Sequence, residues 1–259
     1  MARDSTWSIG RSLRLQAVVN LVASHWNHGI VFLQLALNAV VGYGFTRMLA
    51  NMYGVSAAKD GFDIAYSVPF IILNLSGFAF GHAVISTHFA KLRVTDPEKL
   101  QVVFSTILHL MLLVGALLVG ACYVWDEQLI QLLAPGLPAA ARDQARQSML
   151  LMLPLTFTLG LSAYWSAVLV AFKVPFTAEA CQLISRLGVL VWFLASGPAF
   201  GFVGISLGLV GASVSGLAFE WFVLRKYTGL SLTLDFSPRD PKVREVVWQG
   251  SSFLVATLV

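Results

Sequence analysis

Long apolar segments separated by short polar connections dominate the pattern of this chain. Each full segment has about 20 residues or more, enough for a helix that rises about 1.5 Å per residue to cross a hydrocarbon core of roughly 30 Å. Membrane strands need only about 10 residues, so the pattern favours helices over a barrel. The predicted spans are residues 30–50, 63–90, 102–124, 149–172, 177–196 and 202–224, with the start of a seventh at 246–259.

The composition supports a protein that lies mostly in lipid. Hydrophobic residues make up 57% of the 259 residues, and charged residues make up only 12%. These values predict an all-α integral membrane protein, a polytopic transmembrane helix bundle of about six to seven spans. The predicted units are an interfacial segment at 1–29, a six-helix bundle at 30–224, a cytoplasmic linker at 225–245 and the start of a further span at 246–259. Because that last apolar run reaches Val259 without a polar stop, we expect the chain to be a fragment.

Positive charges predict how the bundle is oriented. Lys and Arg concentrate in the connections on the side of the N-terminus, which places that terminus in the cytoplasm. The net charge of +4 therefore has a topological explanation and does not indicate nucleic-acid binding. Cys122 and Cys181 match no metal-binding spacing, and the chain has no P-loop, HExxH or GxSxG motif. We expect no enzymatic activity, no cofactor and no metal site.

Polar side chains recur along one face of three predicted spans, where each needs a partner or a hydrated cavity. The three stripes contain Gln34, Asn38 and Thr46; Asp63, Ser67 and Asn74; and Glu179, Gln182 and Arg186. Arg47 lies beside the outer end of the first stripe. A polar central cavity between the first, second and fifth helices would accommodate all three stripes. Arg186, near mid-span, either faces this cavity or a buried acid such as Glu179 or Glu220.

Other features predict packing instead of chemistry. Pro69 and Gly77 are expected to interrupt the second span. Gly204, Gly208 and Gly211 share one face of the sixth span, which predicts close approach of another helix.

Two further polar residues have structural explanations from the sequence. His109, one turn after Ser105, is typical of a hydrogen-bonded residue between helices. Glu220 is expected to form a local ion pair with Arg225 or Lys226.

Residues 47–69, RMLANMYGVSAAKDGFDIAYSVP, resemble the N-terminal signature of the MviN/MurJ lipid II flippase family. That family belongs to the multidrug/oligosaccharidyl-lipid/polysaccharide exporter superfamily. Further similar stretches follow in order: GFAFGHAVIS at 77–86, LLAPGL at 132–137 and LPLTFTLGLSAYWSAVLVAFKVPF at 153–176. Family members carry arginines just after the proline of the second helix, where this chain has FIILN at 70–74. The chain therefore resembles a divergent member.

The resemblance implies the N-terminal half of a transporter of about 12 to 14 helices in the bacterial inner membrane. Such a protein would flip a polyprenyl-linked saccharide, lipid II-like or a polysaccharide precursor, by alternating access. In this hypothesis Arg47 and Arg186 contact anionic groups of the substrate, because the arginine fork can engage two oxygens. Asp60 and Asp63 pair with the arginines in one state, and Asn38 and Asn74 bind sugar hydroxyls.

Two alternatives remain at this point. The first is a proton- or cation-coupled multidrug antiporter of the same superfamily, in which Asp60 or Asp63 exchanges protons. The second is a non-transporting membrane scaffold for envelope polysaccharide assembly. The expected partners are a lipid-linked oligosaccharide, membrane lipids and envelope-biosynthesis proteins, with no nucleic acid.

Overall fold

The apolar segments of the described chain fold as helices. The computed structural model describes residues 29–30, 32–54, 56–75, 78–174 and 176–258, so the predicted interfacial segment 1–29 lies outside it except for Gly29. The helices are α1 (residues 32–53), α2 (Ala57–Leu75), α3 (Phe78–Thr95), a short 3₁₀ turn (Pro97–Lys99), α4 (Leu100–Val124), α5 (Asp126–Leu133), α6 (Ala139–Met152), α7 (Leu155–Ala171), α8 (Phe176–Thr228) and α9 (Pro241–Leu258).

Membrane-crossing length is reached in two ways in the described residues. Pro97–Val124 and Phe200–Thr228 are each long and apolar enough to cross alone. The helices α6 and α7 meet at a bend of 41° and make a third span if the pair is taken as one. Ala180–Ala195 is a shorter apolar helix within the predicted fifth span.

The predicted second span 63–90 corresponds to two helices, α2 and α3. The interruption predicted at Pro69 is wrong, because α2 continues through Pro69 to Leu75; Gly77 lies outside the described residues. The predicted fourth span 149–172 begins earlier than expected, because α6 starts at Ala139, and the chain bends at Leu153 and Pro154. Proline lacks the N–H that would continue the helical ladder, but it fits the first turn of a new helix.

The turn predicted at 196–202 is a sharp reversal of the chain at Gly201, so α8 (Phe176–Thr228) consists of two helical halves that pack side by side. Gly201 has φ 56° and ψ −145°, a conformation that essentially only glycine adopts. The chain before the kink packs against the chain after it along small residues. A Cβ added at Gly208 would lie 2.1 Å from Trp192, and one added at Gly216 would lie 2.1 Å from the hydroxyl of Ser185.

The predicted glycine face is therefore only partly correct. The packed positions Gly204, Gly208, Ala212 and Gly216 follow a four-residue repeat, whereas Gly211 faces open space. Residues four apart lie on the same side of a helix, so this repeat forms the surface that contacts the first half of α8, and Gly211 is not part of that surface.

Two apolar clusters form the core at opposite ends of the helices. The first joins α1, α2, α6 and the middle of α8, and its largest fully buried side chain is Phe62. The second joins α3, the start of α4, the end of α7 and the start of α9 around Tyr164. Because α4 and α7 contribute one end to each cluster, they tie the two together.

Residues 229–240, between α8 and α9, form a strap that lies on α4. The Gln101 side chain donates to the carbonyl of Ser231 at 2.6 Å and accepts from its N–H at 3.1 Å. The hydroxyls of Ser105 and Thr233 lie 2.7 Å apart. His109 bonds the Ser105 carbonyl within its own helix at 2.6 Å instead of reaching another helix.

An ion pair holds α6 to the short helix α5. The Asp126 carboxylate accepts from Arg146 Nε at 2.7 Å and from the Glu127 N–H at 2.6 Å. The bond from Arg146 is the main cause that holds the pKa of Asp126 below its ordinary value. This carboxylate is buried, whereas Arg146 is about half exposed.

Gln101→Ala should release the strap from α4. It removes both bonds to the Ser231 backbone, each worth about 0.5–1.5 kcal/mol net, so strap opening should become about tenfold or more frequent. Limited trypsin digestion after Arg239 should accelerate accordingly. Gln131→Ala is the control, because Gln131 is exposed and bonds only Glu127 of its own helix among the described residues. Equal digestion rates for the two variants would show that Gln101 does not hold the strap.

Arg146→Gln should destabilise the protein at neutral pH but not in acid. A carboxylate with a lowered pKa contributes stability above the unfolded value of about 4, and loses it as the pH falls through the lowered folded value. Melting temperatures of wild type and variant should therefore differ at pH 7 and converge toward a pH of about 3. Arg225→Gln, at an exposed position, should show no such convergence. A difference that persists in acid would show that Arg146 acts by packing alone.

Candidate functional site

A cavity of about 380 Å³ lies between α1, α2 and both halves of α8. It lies where the sequence predicts a polar cavity between the first, second and fifth helices, but the sixth span also contributes and most of the lining is apolar. Its apolar wall is formed by Val41, Phe45, Leu49, Phe62, Tyr66, Val189 and Leu209. Phe202 stacks on Phe62 behind this wall, with ring centroids 5.0 Å apart. A larger hollow of about 660 Å³ lies at the start of α9, but Arg244 and Glu245 balance its charge.

Arg186 reaches the cavity from α8 and touches the backbone of α1. Its Nη1 donates to the carbonyl oxygen of Asn38 at 2.5 Å. This approach crosses Gly42, where an added Cβ would lie 3.1 Å from Nη1. The residue is exposed and is one of those that line the cavity. Of the two predicted environments for Arg186, the structure places it at the cavity.

Lys59 and Asp63 form an ion pair one helical turn apart on α2, and both line the cavity. Together with Arg186 they are the charged groups among its described lining residues. Two cations face one carboxylate, so the cavity has an excess of one positive charge. A site of this sign in an apolar surround favours an anionic ligand.

The predicted site residues divide into two groups. Arg186 and Asp63 line the cavity, and buried Asn38 supports Arg186 through its carbonyl. The exposed residues Arg47, Asp60 and Asn74 are not among the residues that line it.

Sequence reasoning did not assign Lys59 to the site. Its spacing of four residues before Asp63 is the signal that could have done so, because residues at that spacing meet on a helix. Ser56 supports this geometry, since its hydroxyl accepts the Lys59 N–H at 3.3 Å and caps α2.

The ion pair predicted for Glu220 is wrong. Glu220 is fully buried, whereas Arg225 and Lys226 are exposed. Arg225 and Lys226 lie in the last turn of α8, more than one helical turn after Glu220. No salt bridge in the described part of the chain includes Glu220.

Gly42→Ala and Gly44→Ala should have different effects on stability. An exposed Gly-to-Ala change inside a helix gains about 0.5–1 kcal/mol, and the Gly44 position has open space for the new methyl group. At Gly42 the methyl group presses on Arg186, so that gain should be lost. Denaturant unfolding in detergent measures both free energies. An equal gain for the two variants would show that Arg186 does not depend on the gap at Gly42.

Known proteins resemble the chain in both sequence and fold. A probable lipid II flippase MurJ from Synechocystis sp. is 27% identical over 235 residues, which is 85% of this chain and 43% of that protein. The inward closed structure of lipid II flippase MurJ has a TM-score of 0.69 at 18% identity, over 87% of this chain and 47% of that one. An outward-facing multidrug resistance MATE family transporter of the MOP superfamily has a TM-score of 0.70 at 15% identity, over 88% and 50%.

These similarities confirm the predicted fold class, a membrane helix bundle that corresponds to half of a transporter. The chain spans less than half the length of its curated relative and about half of each solved transporter. The sequence model of the family described as lipid II flippase MurJ matches residues 49–258, which is most of the chain. The chain therefore belongs to the MurJ lipid II flippase family.

Proposed function

We propose that this chain forms the N-terminal half of an inner-membrane flippase for a polyprenyl-linked saccharide. The observation that carries the proposal is the positive excess in the cavity between α1, α2 and α8. Lipid-linked sugar intermediates carry anionic phosphate groups between lipid and glycan, and a cavity with an excess cation suits them. The chain performs transport and not catalysis, and its N-terminus lies in the cytoplasm.

Arg186 would bind the anionic group of the substrate. One of its N–H groups is anchored on the Asn38 carbonyl, which fixes the guanidinium while other donors of the fork remain for substrate oxygens. Lys59 would supply the second cation, and Asp63 would hold Lys59 in place until the anion arrives. Such charge-assisted bonds are about twice as strong as neutral ones.

The remaining predicted residues would act at the edges of the site. Arg47 and Asp60 are exposed on the outer parts of α1 and α2. Arg47 would attract the headgroup of the substrate, and Asp60 would pair with Arg47 after the headgroup has left. Asn74, exposed near the end of α2, would bind sugar hydroxyls, and Asn38 would do so in a state in which Arg186 has moved.

Alternating access would come from movement of this half against a second, related half. The headgroup would cross through the cavity while the lipid tail stays in the bilayer, with energy from an ion gradient or the membrane potential. Membrane lipids and envelope-biosynthesis proteins would be its neighbours.

A cation-coupled drug antiporter is the second candidate, because Asp63 places a carboxylate in the cavity. The likeness to a MATE transporter supports a shared fold for this candidate, and not a shared substrate. The positive excess works against a cationic drug, so we rank this candidate below the flippase.

Arg186→Ala should slow the flipping of fluorescent lipid-linked oligosaccharide by the full-length protein in proteoliposomes. Losing a hydrogen bond to a charged group costs about 1.5–3 kcal/mol, which corresponds to roughly 10- to 100-fold in rate. Arg186→Lys should lie between wild type and Arg186→Ala, because an ammonium keeps the charge without the fork. Arg225→Ala is the matched control, since Arg225 is exposed at the end of α8.

The other outcomes separate the alternatives. Flipping that is unchanged in Arg186→Ala would contradict the proposed site. Proton-coupled drug efflux that is lost in Asp60→Ala or Asp63→Ala would support the antiporter. If the intact protein transports neither lipid nor drug, the remaining alternative is the non-transporting scaffold for envelope polysaccharide assembly.

A further inference from the structure

Glu220 is a fully buried carboxylate in the interior of a membrane span. Its relative exposure is 0%, and neither oxygen has a hydrogen-bond partner among the described residues. It lies in Phe200–Thr228, one of the two helices that alone reach membrane-crossing length in the described part. An ionised carboxylate without a partner is strongly unfavourable in such surroundings.

Ser162 and Cys181 are the side chains next to Glu220, and the three residues are called the Glu220 cluster below. Ser162 of α7 and Cys181 of α8 lie next to its carboxyl group without reaching hydrogen-bond geometry. Their own side chains are 3.8 Å apart, from Oγ to Sγ. Both can accept a hydrogen bond from a protonated acid after a small rotation.

On the neighbouring elements, the nearest titratable group is a histidine about one helical turn away along α7, and the charged groups of α6 lie farther off. On α3, His82 contacts Ser166, one turn beyond Ser162 on α7, at 3.3 Å. On α6 the charged residues belong to its N-terminal part, at the far end of the bundle: Arg142, Asp143 and Arg146. On α8 itself Arg225 and Lys226 are exposed, and the side chain of Glu179 is outside the described residues.

We propose that Glu220 is a reversible proton-binding site that couples proton movement to the position of Arg186. In one state its carboxylate takes up one proton from water and becomes a neutral acid that can donate to Ser162 or Cys181. In the other state the same proton returns to water on the opposite side. Intramembrane carboxylates commonly serve as such relays.

The packing around the cluster favours a proton over a metal ion. Gly216, one turn before Glu220, approaches the first half of α8 so closely that an added Cβ would lie 2.9 Å from the carbonyl oxygen of Cys181. A metal ion needs several oxygen ligands around it, and this contact has no room for them. A proton needs no added volume.

The coupling would pass through one turn of α8. Cys181 and Ser185 face Gly216 and the Glu220 cluster, while Arg186, the next residue, faces α1 and bonds Asn38. An ionised Glu220 would need polar groups around it. Either water would have to enter, or the two halves of α8 would have to separate. Either change shifts the turn that carries Arg186, and so alters how the cavity holds its anion.

The first experiment is independent of transport. Infrared difference spectra of the full-length protein in lipid vesicles, recorded between neutral and alkaline pH, should show the carbonyl band of a carboxylic acid that disappears on deprotonation. The band should be absent in Glu220→Gln and retained in Glu127→Gln, a control at an exposed position of α5. Glu220→Asp should keep a shifted band. A band that is unchanged in Glu220→Gln would overturn the assignment.

The second experiment rests on the proposed flippase function. A gradient of about one pH unit is about a tenfold ratio in proton activity. If one proton is coupled to each flipped lipid, this gradient should raise the ratio of flipped to unflipped lipid in wild type by up to about tenfold. Glu220→Gln should lose this stimulation, with a melting temperature close to wild type as proof of folding, and Glu127→Gln should keep it. Stimulation that survives in Glu220→Gln, or that follows sodium instead of pH, would contradict the proposal. If wild type does not flip lipid at all, the proposed function fails, while the infrared result still decides the proton site.

Discussion

The contact between Arg186 and the backbone of α1 is the interaction on which the cavity depends. A guanidinium in a membrane protein needs polar partners or water, and here the Asn38 carbonyl and the hollow beside it provide both. The contact exists because Gly42 leaves a gap for the side chain. An added Cβ there would lie 3.1 Å from Nη1 of Arg186, so this side chain would have to shift.

The positive charges of the cavity lie outside the segment that follows Pro69. The family signature that this chain resembles implies arginines just after Pro69. This chain has FIILN there, at 70–74. The cations of the cavity come instead from Arg186 on α8 and Lys59 near the start of α2. Arg186 and Lys59 can make the cavity positive without arginines at 70–74, because an anion responds to the net field more than to the element that carries each charge.

The kinked helix α8 connects the two sites of interest. Its first half presents Arg186 to the cavity on one side and Cys181 to the Glu220 cluster on the other. Its second half packs against the first along a repeat of small residues. Tight packing of this kind allows few intermediate arrangements, which is the physical basis of the proposed coupling between Glu220 and Arg186.

The sequence by itself determined the helical membrane fold, the family and the stripes that point to a cavity, because hydrophobic length and helical periodicity are local properties. It also indicated Arg186 and Asp63, since a charge within a span has few acceptable environments. Only the tertiary structure decided that Lys59 joins the cavity, that Arg47, Asp60 and Asn74 do not line it, and that Glu220 is buried away from Arg225 and Lys226. These outcomes depend on how helices rotate and approach one another, which small residues such as Gly42 and Gly216 permit but do not reveal in the pattern of the chain.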